Sequence, residues 1–105
     1  METEVIYPDG SMSTFADDAA IHEGPLALER LRLITARSAL SLYLRSGGTL
    51  QLTANGAQLA IKNVIEPLTG KTYKRSMKGK EQALADCQAL LDAIESNAVV
   101  YEEES

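Results

Sequence analysis

The longest helical pattern in the chain runs from Pro25 to Arg45, a stretch rich in Leu, Ala and Arg with no internal Gly or Pro. Pro25 suits the first position of a helix, where a missing N–H is no loss, and Gly47-Gly48 supplies a left-handed stop. Its apolar positions, among them Leu26, Leu31, Leu33, Ile34, Leu40, Leu42, Tyr43 and Leu44, spread over more than one stripe. One covering surface is expected to be the domain's own sheet. A second would be a neighbouring helix or another subunit, which makes Leu26, Leu33, Leu40 and Tyr43 the candidates for self-association. A second long helix is expected over 79–95, opened by Ser76 and ended at Asn97, with Leu84, Cys87, Leu91 and Ile94 on a single apolar face.

Strand patterns fill the remainder. Val5-Ile6-Tyr7 reads as a short strand ended by the turn Pro8-Asp9-Gly10, and Val99-Val100-Tyr101 as a closing strand. Thr14-x-x-Asp17 has the form of a capping box, predicting a two-turn helix from Phe15 to His22. Thr49 to Ile65 reads as a β-hairpin turning at Asn55-Gly56, with Leu50, Leu52, Leu59 and Ile61 on one face and Thr49, Gln51, Thr53, Gln58, Ala60 and Lys62 on the other. After the turn Pro67-Leu68-Thr69-Gly70, Lys71–Arg75 is a candidate third strand. With that strand the central order is α-β-β-β-α, and without it the chain approximates β-α-β-β-α-β. The expected fold class is α+β: a small two-layer domain whose mostly antiparallel sheet, centred on the hairpin 49–65, is packed by the helices 25–45 and 79–95.

Length and composition agree with one domain over 1–105. The chain has 105 residues, 45% hydrophobic and 24% charged, which is too apolar for a disordered segment. Cys87 is the only cysteine, so no internal disulfide or cysteine-rich zinc site is available. Glu2 and Glu4 follow Met1 where a secretory signal would be basic and then apolar, and no run of about 20 apolar residues exists to span a membrane. A reducing, cytoplasmic setting is the expectation.

The net charge of −5 is unevenly spread. An acidic N-terminal arm, 1–24, holds six acids and no Lys or Arg, while the tail 102–105 contains Glu102, Glu103 and Glu104. Lys71, Lys74, Arg75, Lys78 and Lys80 fall within ten positions. Acidic ends and a basic middle let the ends lie against that middle or against another copy, and local potential rather than overall charge selects partners.

Catalytic and metal-binding patterns are weak. Gly70-Lys71-Thr72 resembles the end of a phosphate-binding loop, but Ile65 stands where that loop needs its first Gly. Asp17, Asp18, His22 and Glu23 have ligand chemistry without a second His or Cys at a ligand spacing, so they read as a solvated polar segment. Cys87 on an apolar stripe reads as a buried structural thiol. The serines sit in no nucleophile elbow. No cofactor and no metal are expected.

The run from Lys71 to Lys80 sets five cations and Tyr73 around a helix start, a position that favours phosphate. The succession of hairpin, Pro-x-x-Gly-Lys turn, basic strand and Lys-rich helix start is similar to three-strand-plus-helix DNA-binding modules appended to integrases. It is similar also to double-stranded RNA-binding domains. That resemblance implies phosphate contacts from Lys71, Lys74, Arg75, Lys78 and Lys80, and base contacts from Gln51, Thr53 and Gln58. The functional expectation is a small non-catalytic interaction or regulatory module that binds protein and self-associates as a homo-oligomer. The alternative is a nucleic-acid-binding protein using Lys71, Tyr73, Lys74, Arg75, Lys78 and Lys80.

Overall fold

The start of the chain forms three strands in a computed structural model that describes residues 2–49 and 55–103. β1 (Glu2–Ile6), β2 (Met12–Phe15) and β3 (Ala20–Glu23) form an antiparallel meander. β4 (Val99–Glu103) pairs antiparallel with β1, so the sheet order is β3-β2-β1-β4. The expected helix over Phe15–His22 is therefore replaced by a hairpin with Asp17 and Asp18 at its tip. As a hairpin, the segment sets the Phe15 ring edge-on to His22, 5.6 Å away, and aligns Ser13 with His22 across the strands.

The first long helix, α1 (Pro25–Arg45), has the predicted bounds. Its first turn is capped from a distance: the Leu26 N–H is shared by Asp9 Oδ2 and Ser11 Oγ, both at 3.1 Å. Its last turn closes as a Schellman motif, with Gly48 N–H donating to Tyr43 O at 2.8 Å and Gly47 N–H to Leu44 O at 3.2 Å.

The expected hairpin 49–65 is overturned from Gly56 onward. Asn55 adopts the left-handed conformation that its turn chemistry favours (φ 57°), but it opens a helix instead of a β-turn. Gly56–Ala60 is α2, Ile61–Ile65 is a π-helical turn, and Glu66–Thr69 is α3, ended by left-handed Gly70. Ala57, Ile61 and Ile65 are fully buried while Leu59 is 46% exposed, so Leu59 and Ile61 do not share a face. Leu50, Leu52, Gln51 and Thr53 lie outside the described residues. The wider π turn keeps the spacing-of-four row 57, 61, 65 on one side. Lys71–Arg75 is not a strand either. The Lys71 and Tyr73 N–H groups, which a ladder would need, donate to Thr69 Oγ1 and Glu66 Oε2.

The second long helix, α4 (Met77–Ser96), begins where Ser76 Oγ accepts the Gly79 N–H. The fold is α+β, a four-stranded antiparallel sheet with helices, but its sheet comes from residues 2–23 and 99–103. Neither central order read from the sequence is realised.

The chain divides into two compact units, Met1–Leu31 with Asp92–Ser105, and Arg32–Leu91. The first buries Tyr7, Ser11, Ser13, Ala27 and Ile94 among its sheet and helix ends. The second buries Leu33, Ala36, Leu40, Ala57, Ile61, Ile65, Tyr73, Ala83, Cys87 and Leu91. Each large aliphatic of that core contributes about 1.5–3 kcal/mol.

Candidate functional site

The basic stretch lies entirely within the Arg32–Leu91 unit, and packing splits its members. Tyr73 is buried, and its hydroxyl donates to Asp86 Oδ2 at 2.5 Å. Lys71 pairs with the same carboxylate oxygen at 3.3 Å. The phenol hydrogen bond and the Lys71 cation hold the Asp86 carboxyl below its usual range, whereas burial and then Asp86 push the Tyr73 phenol up. Lys80 is only 5% exposed, which withdraws it from any partner-facing surface. Its ammonium donates to Arg75 O at 2.7 Å and lies 4.9 Å from the centre of the Tyr43 ring. Burial, and then the Arg75 charge, lower its pKa. Lys74, Arg75 and Lys78 remain exposed. Thr72, Tyr73, Lys74, Lys78, Gly79, Glu81 and Gln82 line a cleft of about 610 Å³ there.

The self-association candidates divide similarly. Leu33 and Leu40 are at 0% exposure inside the core of their own unit, so they offer nothing to a second copy. Leu26 and Tyr43 are half-buried, and the exposed apolar residues of α1 are instead Leu28 and Leu31.

A second surface is built by the sheet. β4 is terminal in the strand order, and Val99, Val100 and Tyr101 are 51%, 55% and 55% exposed. Val99 and Tyr101 share a face with Ile6 and Glu4 of β1, and Val100 lies on the opposite face with Val5. Ile21, at 58%, makes the far edge of the Tyr101 face apolar as well. The sheet-bearing unit carries twelve acids against the single base Arg30, a formal charge of −11. The Arg32–Leu91 unit carries nine bases against Glu66, Glu81 and Asp86, giving +6.

The sequence reading missed this edge, although a signal was present. Three consecutive apolar residues break the alternation of a half-buried strand, a pattern that belongs to strands covered on both faces, whereas here both faces are exposed.

His22 Nδ1 is hydrogen-bonded to Ser13 Oγ at 2.7 Å, and that hydroxyl is 3.1 Å from the Tyr7 hydroxyl, an internal chain of polar groups. Among the described residues no group of three His, Cys, Asp or Glu is placed to hold a metal ion. The Cys87 thiol donates to Leu33 O at 3.3 Å, and burial pushes its pKa up. No helix among the described residues is long and apolar enough to cross a membrane. No family model, curated protein or solved structure matches the chain.

Proposed function

We propose that the protein is a non-catalytic interaction module that takes an extended segment of a partner protein along β4. The observation carrying this reading is the exposure of Val99, Val100 and Tyr101 on a strand that, among the described residues, has no neighbour on its outer side in the sheet. An edge strand presents a row of backbone donors and acceptors, and side-chain contacts on both faces add affinity when a strand pairs with it. A photo-cross-linking amino acid at position 101, with exposed Lys62 as the control position, tests it in native extract. Polypeptide adducts from 101 and not from 62 are expected. Adduct patterns that do not differ between the two positions overturn the reading.

The +6 charge of Arg32–Leu91, with Lys74, Arg75 and Lys78 exposed around the cleft, favours a second reading, nucleic-acid binding. With Lys80 buried and Lys71 paired, these three cations would give a log–log salt slope of about −2.7 on duplex DNA. Duplex and single-stranded probes titrated between 50 and 200 mM salt measure it, and binding unchanged by Lys74→Glu/Arg75→Glu removes the reading.

A further inference from the structure

We infer, resting on the strand-addition reading above, that the segment β4 accepts is a basic peptide carrying Lys or Arg at alternate positions. The argument is charge complementarity at the edge itself. β4 passes from Val99, Val100 and Tyr101 into exposed Glu102, and its partner strand β1 contributes Glu2 and Glu4, the latter aligned to Tyr101. The apolar half of the edge supplies contact area, and the acidic half fixes the sign of what lies beside it. These carboxylates belong to a unit of formal charge −11, which has Arg30 as its one base.

A second copy of this chain fits the same edge poorly. Antiparallel pairing of β4 with itself about Tyr101 would set Val100 against Glu102 of the other copy. It would also bring two strongly acidic units together, and like charges across strands are destabilising. Charges at a sheet edge block self-pairing, while a strand of opposite charge turns the same groups into contacts. Five residues of β4 span about 17 Å, so a peptide of five to seven residues covers the edge.

The test uses the full chain and three labelled ten-residue peptides, alternating Lys/Val, Ser/Val and Glu/Val, read by fluorescence anisotropy at 50 and 300 mM NaCl. Lys/Val is expected to bind at least tenfold more tightly than Ser/Val at low salt and to weaken at high salt, with Glu/Val inert. Glu2→Lys/Glu102→Lys is expected to cost at least tenfold for Lys/Val. The amides of β4 are expected to exchange more slowly in the complex. Equal binding of Ser/Val and Lys/Val overturns the charge inference and leaves strand addition standing. Lys/Val binding without protection of β4 amides overturns it as non-specific attraction to an acidic surface. No binding by any of the peptides, together with identical cross-linking at 101 and 62, overturns both. Light scattering that finds a dimer, made monomeric by Tyr101→Lys, assigns the edge to a second copy and overturns the inference.

Discussion

Gly79 is a residue at which local propensity and packing point in opposite directions. A glycine in the first turn of a helix is costly, and replacement by Ala should gain up to about 1 kcal/mol from propensity alone. At Gly79 an added Cβ would clash with the Lys74 carbonyl oxygen, a backbone atom that cannot swing aside. Overpacking of that kind costs about 1–3 kcal/mol, so Gly79→Ala is expected to destabilise the protein in urea melts. A gain in stability would mean that 74–76 is not held against α4. Tyr73 ties down the same loop. Tyr73→Phe removes a hydrogen bond to a carboxylate and is expected to cost about 1–2 kcal/mol near neutral pH. Because the native Asp86 pKa is lowered, the stability it contributes is present above the ordinary carboxylate range and lost as pH falls through the native value. The difference between wild type and Tyr73→Phe should therefore shrink on acidification; a difference constant with pH would remove Asp86 from the account. At this scale the sequence was legible where one residue type carries one job, as with Ser76 capping α4 and Cys87 on the buried stripe. Lys80 was not legible, because a Lys reads as surface until a ring and a carbonyl are seen to enclose it.

Elements were legible in proportion to how local their causes are. Both long helices carry their start and stop signals within their own few residues, so α1 has the predicted ends and α4 nearly so. The segment after Asn55 failed because two periods overlap in it. Leu59 and Ile61 alternate as a strand would, whereas Ala57, Ile61 and Ile65 recur every four, and the helical row is the one buried. Phe15–His22 failed because a capping-box pattern is cheap to produce by chance, and cross-strand pairing with 12–15 outweighed it. The cap of α1 was invisible for a different reason, since its acceptors sit 17 and 15 residues upstream. Hydrogen bonds from Ser11 hold the Asp9 carboxyl below its usual range, helped by the Leu26 N–H. Its contribution is present above the ordinary carboxylate range and lost as pH falls through the lowered value. Asp9→Ala is expected to speed exchange of the Leu26 amide relative to its intrinsic rate, with Ser11 Oγ the only acceptor left. Wild type should approach the variant as pH falls. Equal exchange at neutral pH would show that Ser11 alone caps the helix.

At the scale of the whole molecule, the pattern visible earliest in the chain is also the one the structure sharpens most. Acidic ends and a basic middle become two compact units of −11 and +6, because the two ends meet in one sheet through β1 and β4. That concentration has a thermodynamic consequence independent of any partner. Glu2 and Glu4 lie on the Tyr101 face of β1 and Glu102, aligned to Thr3, on the opposite face of β4, so pairing β4 onto β1 gathers three carboxylates on the two faces of one end of the sheet. Their mutual repulsion opposes strand pairing and is screened by salt, since the Debye length contracts from about 10 Å at 0.1 M to about 3 Å at 1 M. Amide protection of Val99 to Glu102 is therefore expected to increase between 0.05 and 1 M NaCl. Glu2→Gln/Glu102→Gln should raise protection at low salt and flatten its dependence on salt. Protection that falls with salt would mean that these carboxylates are held by cations rather than by repelling neighbours, and β4 would then have no unmet negative charge with which to select a basic strand.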